Sequence, residues 1–190
     1  MKTTVIVRFV LPFIVWYLLM ILVTIVLDYF LHQFKLVFIG RYLGYVGTLA
    51  ILVSLTYSLK KRKVIDFGTP KKLLALHEYL AWVGAVLVLV HAGVHFNALL
   101  PWLAIVLLLI TVASGLVGKY LLKKANESLK IHKAKMISEG IPAAEVEKQL
   151  LFDSLTVDAM KKWRVVHMPI TYLLGILSLI HILTVFMFGK

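Results

Sequence analysis

The sequence predicts an all-α integral membrane protein, a bundle of five transmembrane helices that forms a single domain over residues 1–190. Hydrophobic residues make up 61% of the chain and charged residues only 16%, and the mean hydropathy is +0.93. A typical soluble domain has about 45–50% apolar and about 25% charged residues. Five apolar runs each reach the roughly 20 residues that cross a bilayer core. They lie at about 9–27, 42–59, 77–97, 100–122 and 166–188.

The first run, "FVLPFIVWYLLMILVTIVL", is interpreted as a retained span. It follows Lys2 and Arg8, but it is too long for a signal-peptide core and lacks a small-residue cleavage site. Basic residues concentrate at 60–72 and 119–164, and the positive-inside rule places both segments in the cytoplasm. We therefore predict a cytoplasmic N-terminus, an extracytoplasmic C-terminus and a multi-pass location in the cytoplasmic (inner) membrane. Anionic lipid headgroups account for the net charge of +12, so no nucleic-acid partner is expected.

The segment at about 124–164 is the only long stretch between spans that is not apolar. Gly140 and Pro142 mark a break, and Glu145 and Glu147 suit the first turn of a new helix. We expect a helical hairpin that extends into the cytoplasm between the fourth and fifth spans. A loop of this length is uncommon unless it is functional or disordered, so the hairpin is either a solvated connector or a docking surface for a partner.

Two stretches of the chain share one histidine interval. Residues 77–91 read "HEYLAWVGAVLVLVH" and residues 167–181 read "HMPITYLLGILSLIH". Fourteen residues of helix fall about 40° short of four whole turns and rise about 21 Å, so both histidines of a stretch share one face at two depths. The third and fifth spans run in the same direction. This pairs His77 with His167 near the cytoplasmic side and His91 with His181 near the outer side.

Facing imidazoles at matched depths are the axial ligands that a haem iron requires, and a helix bundle can hold the apolar macrocycle. A single histidine in a membrane helix is more often a hydrogen-bonded core residue or part of a proton path. Four histidines at two matched depths instead predict two stacked haems. Zinc requires three or four ligands that converge on one point, whereas each depth offers two. The chain has no cysteine, which excludes disulfides, iron–sulfur clusters on thiolates and CxxCH haem attachment.

Four further residues are candidates for cofactor binding. Gly84 lies halfway between the histidines of the third span, where a missing side chain would make room for a porphyrin. Arg164 near the inner haem and Arg41 near the outer one could offset anionic propionates, although such residues also anchor helices to lipid. His95 lies one turn beyond His91. It could replace His91 as a ligand, and a hydrogen bond to a propionate or to a bound substrate is the preferred interpretation.

Pro169 affects the geometry around His167. Proline removes the backbone hydrogen bond to residue 165 and disfavours helical geometry at Met168. If the fifth helix begins at the proline, His167 lies in the preceding turn or loop. A kinked membrane helix would instead keep the histidine inside the bundle.

The histidine quartet is similar to that of the ferric reductase and NADPH oxidase type of transmembrane domain, and a related arrangement occurs in cytochrome b of bc-type complexes. The resemblance rests on His77, His91, His167 and His181, with "KKWRVVHMPITYLLGILSLIH" leading into the fifth span, and covers roughly spans two to five. It implies two non-covalent b-type haems that pass electrons across the membrane one at a time. In ferric reductases a flavin domain, fused after a sixth span, supplies the electrons.

This sequence contains no flavin domain, no GxGxxG motif and no sixth span. We therefore expect a separate donor, a protein docked on the hairpin or a quinol, and an extracytoplasmic acceptor. The opposite direction is equally open, with the outer haem accepting electrons from a periplasmic cytochrome. The leading hypothesis is an electron-transferring cytochrome b. A narrower alternative is the membrane-anchor subunit of a larger oxidoreductase that exchanges electrons with quinone. A third alternative is a haem-free transporter or proton relay that uses the buried histidines.

Overall fold

A computed structural model describes residues 5–94, 99–118 and 123–188, and all regular structure within these ranges is helical. Eight helices follow one another in this part of the chain. They are α1 (Val5–Gln33), α2 (Val37–Ser54), α3 (Thr56–Lys61), α4 (Pro70–Val94), α5 (Leu99–Leu116), α6 (Lys123–Ser138), α7 (Ala143–Gln149) and α8 (Leu151–Phe188).

Five helical segments in the described ranges are long and apolar enough to cross a membrane, which confirms the five predicted spans. They are Leu11–Gln33, Val37–Lys61, Pro70–Gly93, Leu99–Leu116 and Val165–Phe188. The second and third begin earlier than predicted because an apolar run ends at a charge, whereas a helix continues through it. Arg41, Lys71 and Lys72 are exposed residues of these helices, and such side chains extend toward water beside an apolar stem.

Helices α2 and α4 pack against each other with their backbones in contact. A Cβ atom added at Gly84 would lie 2.9 Å from the Gly47 carbonyl oxygen and 2.7 Å from Cγ1 of Ile51. A Cβ atom added at Gly47 would lie 2.9 Å from the Gly84 carbonyl oxygen. Small residues permit this approach in membrane helices. The prediction that Gly84 makes room for a porphyrin is therefore corrected, because the space beside Gly84 is filled by α2.

Helices α6 and α7 pack against each other after a turn at Gly140, which has a φ of +80°. Pro142 is the N-cap of α7, and Val146 within α7 is buried. The helical character predicted for this segment agrees with the structure, and its cytoplasmic location stays a prediction.

Helix α8 runs for 38 residues without interruption and contains Pro169. Of the two geometries considered for His167, the structure has the one in which the histidine lies inside the helix. The hydroxyl of Thr171 donates a hydrogen bond of 2.8 Å to the His167 carbonyl oxygen, one turn away.

The chain divides into two compact units. One comprises Met1–Tyr17 and Ala113–Thr171, and the other comprises Leu18–Val112 and Tyr172–Lys190. The first unit contains His167, and the second contains the other three histidines of the predicted quartet.

Candidate functional site

The imidazole of His91 is held by the first two turns of α2. Its Nδ1 atom lies 3.0 Å from the Gly40 carbonyl oxygen. A carbonyl oxygen only accepts, so Nδ1 carries the proton, and the neutral ring has its lone pair on Nε2. Gly44, one turn along α2, gives the ring its space, because an added Cβ atom would lie 2.7 to 2.9 Å from three ring atoms.

His77 repeats this arrangement at the other end of α4. Its Nδ1 atom lies 3.0 Å from the backbone carbonyl oxygen of Ser54, at the end of α2. The same tautomer follows, with the lone pair on Nε2. The ring stacks on Tyr57 of α3 with a centroid separation of 5.8 Å. The Ser54 hydroxyl is engaged elsewhere, since it donates to the Ile51 carbonyl oxygen at 2.6 Å.

Helix α4 thus presents the imidazoles of His77 and His91 to α2. Helix α4 is continuous from Pro70 to Val94, so the rise between His77 and His91 is about 21 Å. Each ring donates through Nδ1 to a backbone carbonyl oxygen of α2. In metal-binding proteins this hydrogen bond fixes the tautomer and the orientation of a ligating histidine and makes its other nitrogen more basic.

His167 is held by a side chain. Its Nδ1 atom lies 2.6 Å from the hydroxyl oxygen of Ser114 in the last turn of α5, and Ser114 is only 1% exposed. The neighbouring Gly115 would place an added Cβ atom 3.7 Å from the Cε1 atom of His167, which is an ordinary van der Waals distance. A hydroxyl both donates and accepts, so this contact permits either neutral tautomer.

His181 completes the quartet on α8 and is half-buried. Among the described residues its ring makes no hydrogen bond, and its backbone carbonyl oxygen accepts one from Thr184 at 2.8 Å. Gly175, midway between the two histidines of α8, faces open space: among the described residues, no atom beyond its chain neighbours and the adjacent helix backbone lies within 4 Å of an added Cβ atom.

Of the three remaining predicted site residues, the structure describes the side chain of Arg41 only. Arg41 is exposed and directly follows Gly40, so it lies beside the backbone group that holds His91. His95 and the side chain of Arg164 lie outside the described residues.

Asp28 was not predicted as a site residue, although it is the only acidic residue of the first span in the structure, Leu11–Gln33. Its Oδ1 atom is buried, has no hydrogen-bond partner among the residues that the structure describes, and would lie 3.1 Å from a Cβ atom added at Gly93 of α4. Its Oδ2 atom lies 3.6 Å from Nδ1 of His32, and that nitrogen also lies 2.9 Å from the Asp28 carbonyl oxygen. A lone acid in an apolar run is a sequence signal of function.

Arg62 and Tyr172 connect the end of α3 to α8. The Arg62 guanidinium donates a hydrogen bond to the Tyr172 hydroxyl and lies 5.7 Å from the centre of its ring. This contact was not predicted, because the two residues are far apart in the sequence and both are exposed.

Within the described ranges, no group of three or more His, Cys, Asp or Glu side chains is arranged to hold a metal ion. Comparisons of the chain with protein-family models, with curated proteins and with solved structures give no match. The resemblance to the dihaem cytochromes therefore stays a prediction, based on the histidine pattern.

Proposed function

We propose that the protein carries electrons across the cytoplasmic membrane through two non-covalent b-type haems, each between two imidazoles. The observation that supports this most directly is the pair of imidazoles on α4. His77 and His91 each donate from Nδ1 to a backbone carbonyl oxygen, at two depths along one apolar helix. The proposed partner ligands, His167 and His181, follow from the matching interval in the sequence.

The residues present fit a haem. Iron takes a neutral imidazole through a nitrogen lone pair, and the tautomer of His77 and His91 has that lone pair on Nε2. The surrounding helix positions are apolar, as the macrocycle requires, with Val86 and Val90 buried along α4. When bound, a haem supplies an iron that takes up and releases single electrons. The chain itself orients the proposed ligating rings through their Nδ1 hydrogen bonds.

The electron donor and acceptor are proposed to be separate proteins or quinone. The hairpin of α6 and α7 exposes Lys130, Lys133 and Lys135, which would attract an acidic donor protein. Membership of a larger membrane oxidoreductase, with exchange of electrons with quinone, is the narrower form of the same proposal.

Haem content of the purified full-length protein tests the proposal. We expect two low-spin b-type haems per chain in oxidised and dithionite-reduced spectra, quantified as the pyridine haemochromogen. His91→Ala and His77→Ala should each leave one haem, because each would remove one of the two proposed iron ligands at one depth. The matched control is His132→Ala, since His132 is exposed on α6 and should not affect haem content.

Two outcomes would contradict the proposal. One is a folded, monodisperse wild-type protein without haem, which would favour the proton-relay or transport hypothesis. The other is a His91→Ala protein that keeps both haems with unchanged spectra. Size-exclusion profiles of all variants distinguish loss of a ligand from loss of the fold.

A further inference from the structure

The hydrogen bond between Ser114 and His167 differs in kind from those on α4. His77 and His91 meet carbonyl oxygens, which are obligate acceptors. His167 meets a hydroxyl, at 2.6 Å, on a serine that is 1% exposed. Ser114 and His167 both belong to the first compact unit, so the contact lies within one packed part of the chain.

The direction of this hydrogen bond determines which ring nitrogen can bind a metal. If the Ser114 hydroxyl accepts from Nδ1, the lone pair of His167 is on Nε2, as in His77 and His91. If the hydroxyl donates to Nδ1, the proton of the neutral ring is on Nε2, which then cannot act as a ligand. A backbone carbonyl leaves no such choice.

We infer that Ser114 is a positioning residue that accepts from Nδ1 of His167 and thereby sets the reduction potential of the haem bound by that ring. The inference rests on the proposed function. A ring that donates from Nδ1 is a stronger electron donor through Nε2, and this stabilises ferric relative to ferrous iron. Ser114 therefore holds the potential of this haem below the value it would have without the hydroxyl.

Redox potentiometry of the full-length protein tests the inference. We expect Ser114→Ala to keep two haems per chain and to shift one of the two midpoint potentials upward, while the other stays unchanged. His167→Ala identifies the affected haem, because its component should be missing from that variant. Ser114→Thr retains a hydroxyl and should restore the wild-type potential.

Ser54→Ala is the matched control. Ser54 is also 1% exposed and also lies beside a histidine, but its hydroxyl donates to Ile51, and the atom that His77 contacts is the backbone carbonyl oxygen. Removal of this hydroxyl should leave both potentials unchanged. A merely structural effect of an alanine in a buried position would appear in both serine variants.

The outcomes separate the inference from the proposed function. Wild-type protein without haem contradicts the proposed function itself. Two haems in the wild type, with unchanged potentials in Ser114→Ala, overturn the inference alone, as does an equal shift in Ser54→Ala. Loss of the His167 haem in Ser114→Ala also overturns the inference, because the hydroxyl would then be needed for haem retention and not for setting the potential.

Discussion

At the scale of single residues, the imidazole of His91 depends on a missing side chain. Gly44 lies against the ring, and three ring atoms would lie between 2.7 and 2.9 Å from an added Cβ atom. Real Cβ atoms do not approach this closely, so either the ring or α2 must move when residue 44 has a side chain. The hydrogen bond from His91 Nδ1 to the carbonyl oxygen of Gly40, one turn from Gly44, would then lengthen.

Gly44→Ala should therefore displace the His91 ring and weaken haem binding at that depth. We expect one haem per chain, or a second haem that is lost during purification, because a ligand must be held in a defined orientation. The measurement is the ratio of haem to protein. Gly115→Ala is the control, since its Cβ atom would lie at an ordinary 3.7 Å from His167. Equal haem content in both variants would contradict the expected role of Gly44.

The sequence identifies the candidate histidines better than it identifies the groups that form hydrogen bonds with them. The fourteen-residue interval is visible because a helix repeats regularly, so His77 and His91 could be placed on one face. Their partners are backbone carbonyl groups, which every residue has and which no residue type marks. Ser114 is one of several serines, and its contact with His167 spans 53 positions of the chain. Gly84 was predicted to face a porphyrin, whereas it packs against α2. Helical spacing shows which residues share a face, but it does not show which element packs on that face.

At the scale of helices, the contact between α2 and α4 positions both rings. The two glycines at the crossing, Gly47 and Gly84, bring each backbone within van der Waals reach of the other. The ends of α2 then meet the two histidines of α4, with Gly40 at His91 and Ser54 at His77. A change at the crossing therefore affects both rings together.

Gly84→Ala should destabilise this helix pair by about 1–3 kcal/mol, the usual cost of extra atoms in a well-packed contact. The clash is with the Gly47 carbonyl oxygen, a backbone atom that cannot rotate away. Thermal unfolding in detergent should show a lower midpoint. Gly175→Ala serves as the control, because open space surrounds that position and alanine favours helix by about 1 kcal/mol over glycine. A lower midpoint in the control but not in Gly84→Ala would contradict this account of the crossing.

The number and type of elements were predictable, because long apolar runs and the Gly140–Pro142 break are local signals. The helix ends were not. Helix α2 begins at Val37 and α4 at Pro70, several residues before the apolar runs predicted for them. The helices continue past the charged residues Arg41, Lys71 and Lys72, whereas hydropathy falls at such residues.

At the scale of the whole molecule, the exposed apolar side chains of the spans indicate a lipid environment. Helices α1 and α8 expose large hydrophobic side chains along their spans, such as Leu18, Ile25, Leu173 and Ile176. Lipid hydrocarbon suits such a surface, because the helices satisfy their own backbone hydrogen bonds. The distribution of basic residues then determines the predicted orientation of the chain.

The absence of cysteine makes this orientation directly measurable, because an introduced cysteine is a unique thiol. Lys35→Cys, between α1 and α2, should react with a membrane-impermeant maleimide added to spheroplasts, in which the cytoplasmic membrane is intact and accessible from outside. Lys133→Cys, exposed on α6, should react only after the membrane is permeabilised. The opposite pattern would invert the predicted topology, and equal labelling of both sites in intact spheroplasts would contradict a membrane-spanning arrangement with these two sites on opposite sides.

The carbonyl partners of His77 and His91 also bear on how charge moves. A histidine in a proton wire takes up a proton at one nitrogen and releases another from the second, to a group that can pass it on. A backbone carbonyl oxygen accepts a hydrogen bond but has no proton to give and no means to relay one. The Nδ1 hydrogen bonds of these two rings therefore offer no onward path for a proton. Electron flow past them would be electrogenic, with each electron that crosses coupled to the membrane potential by about 2.3 kcal/mol per 100 mV.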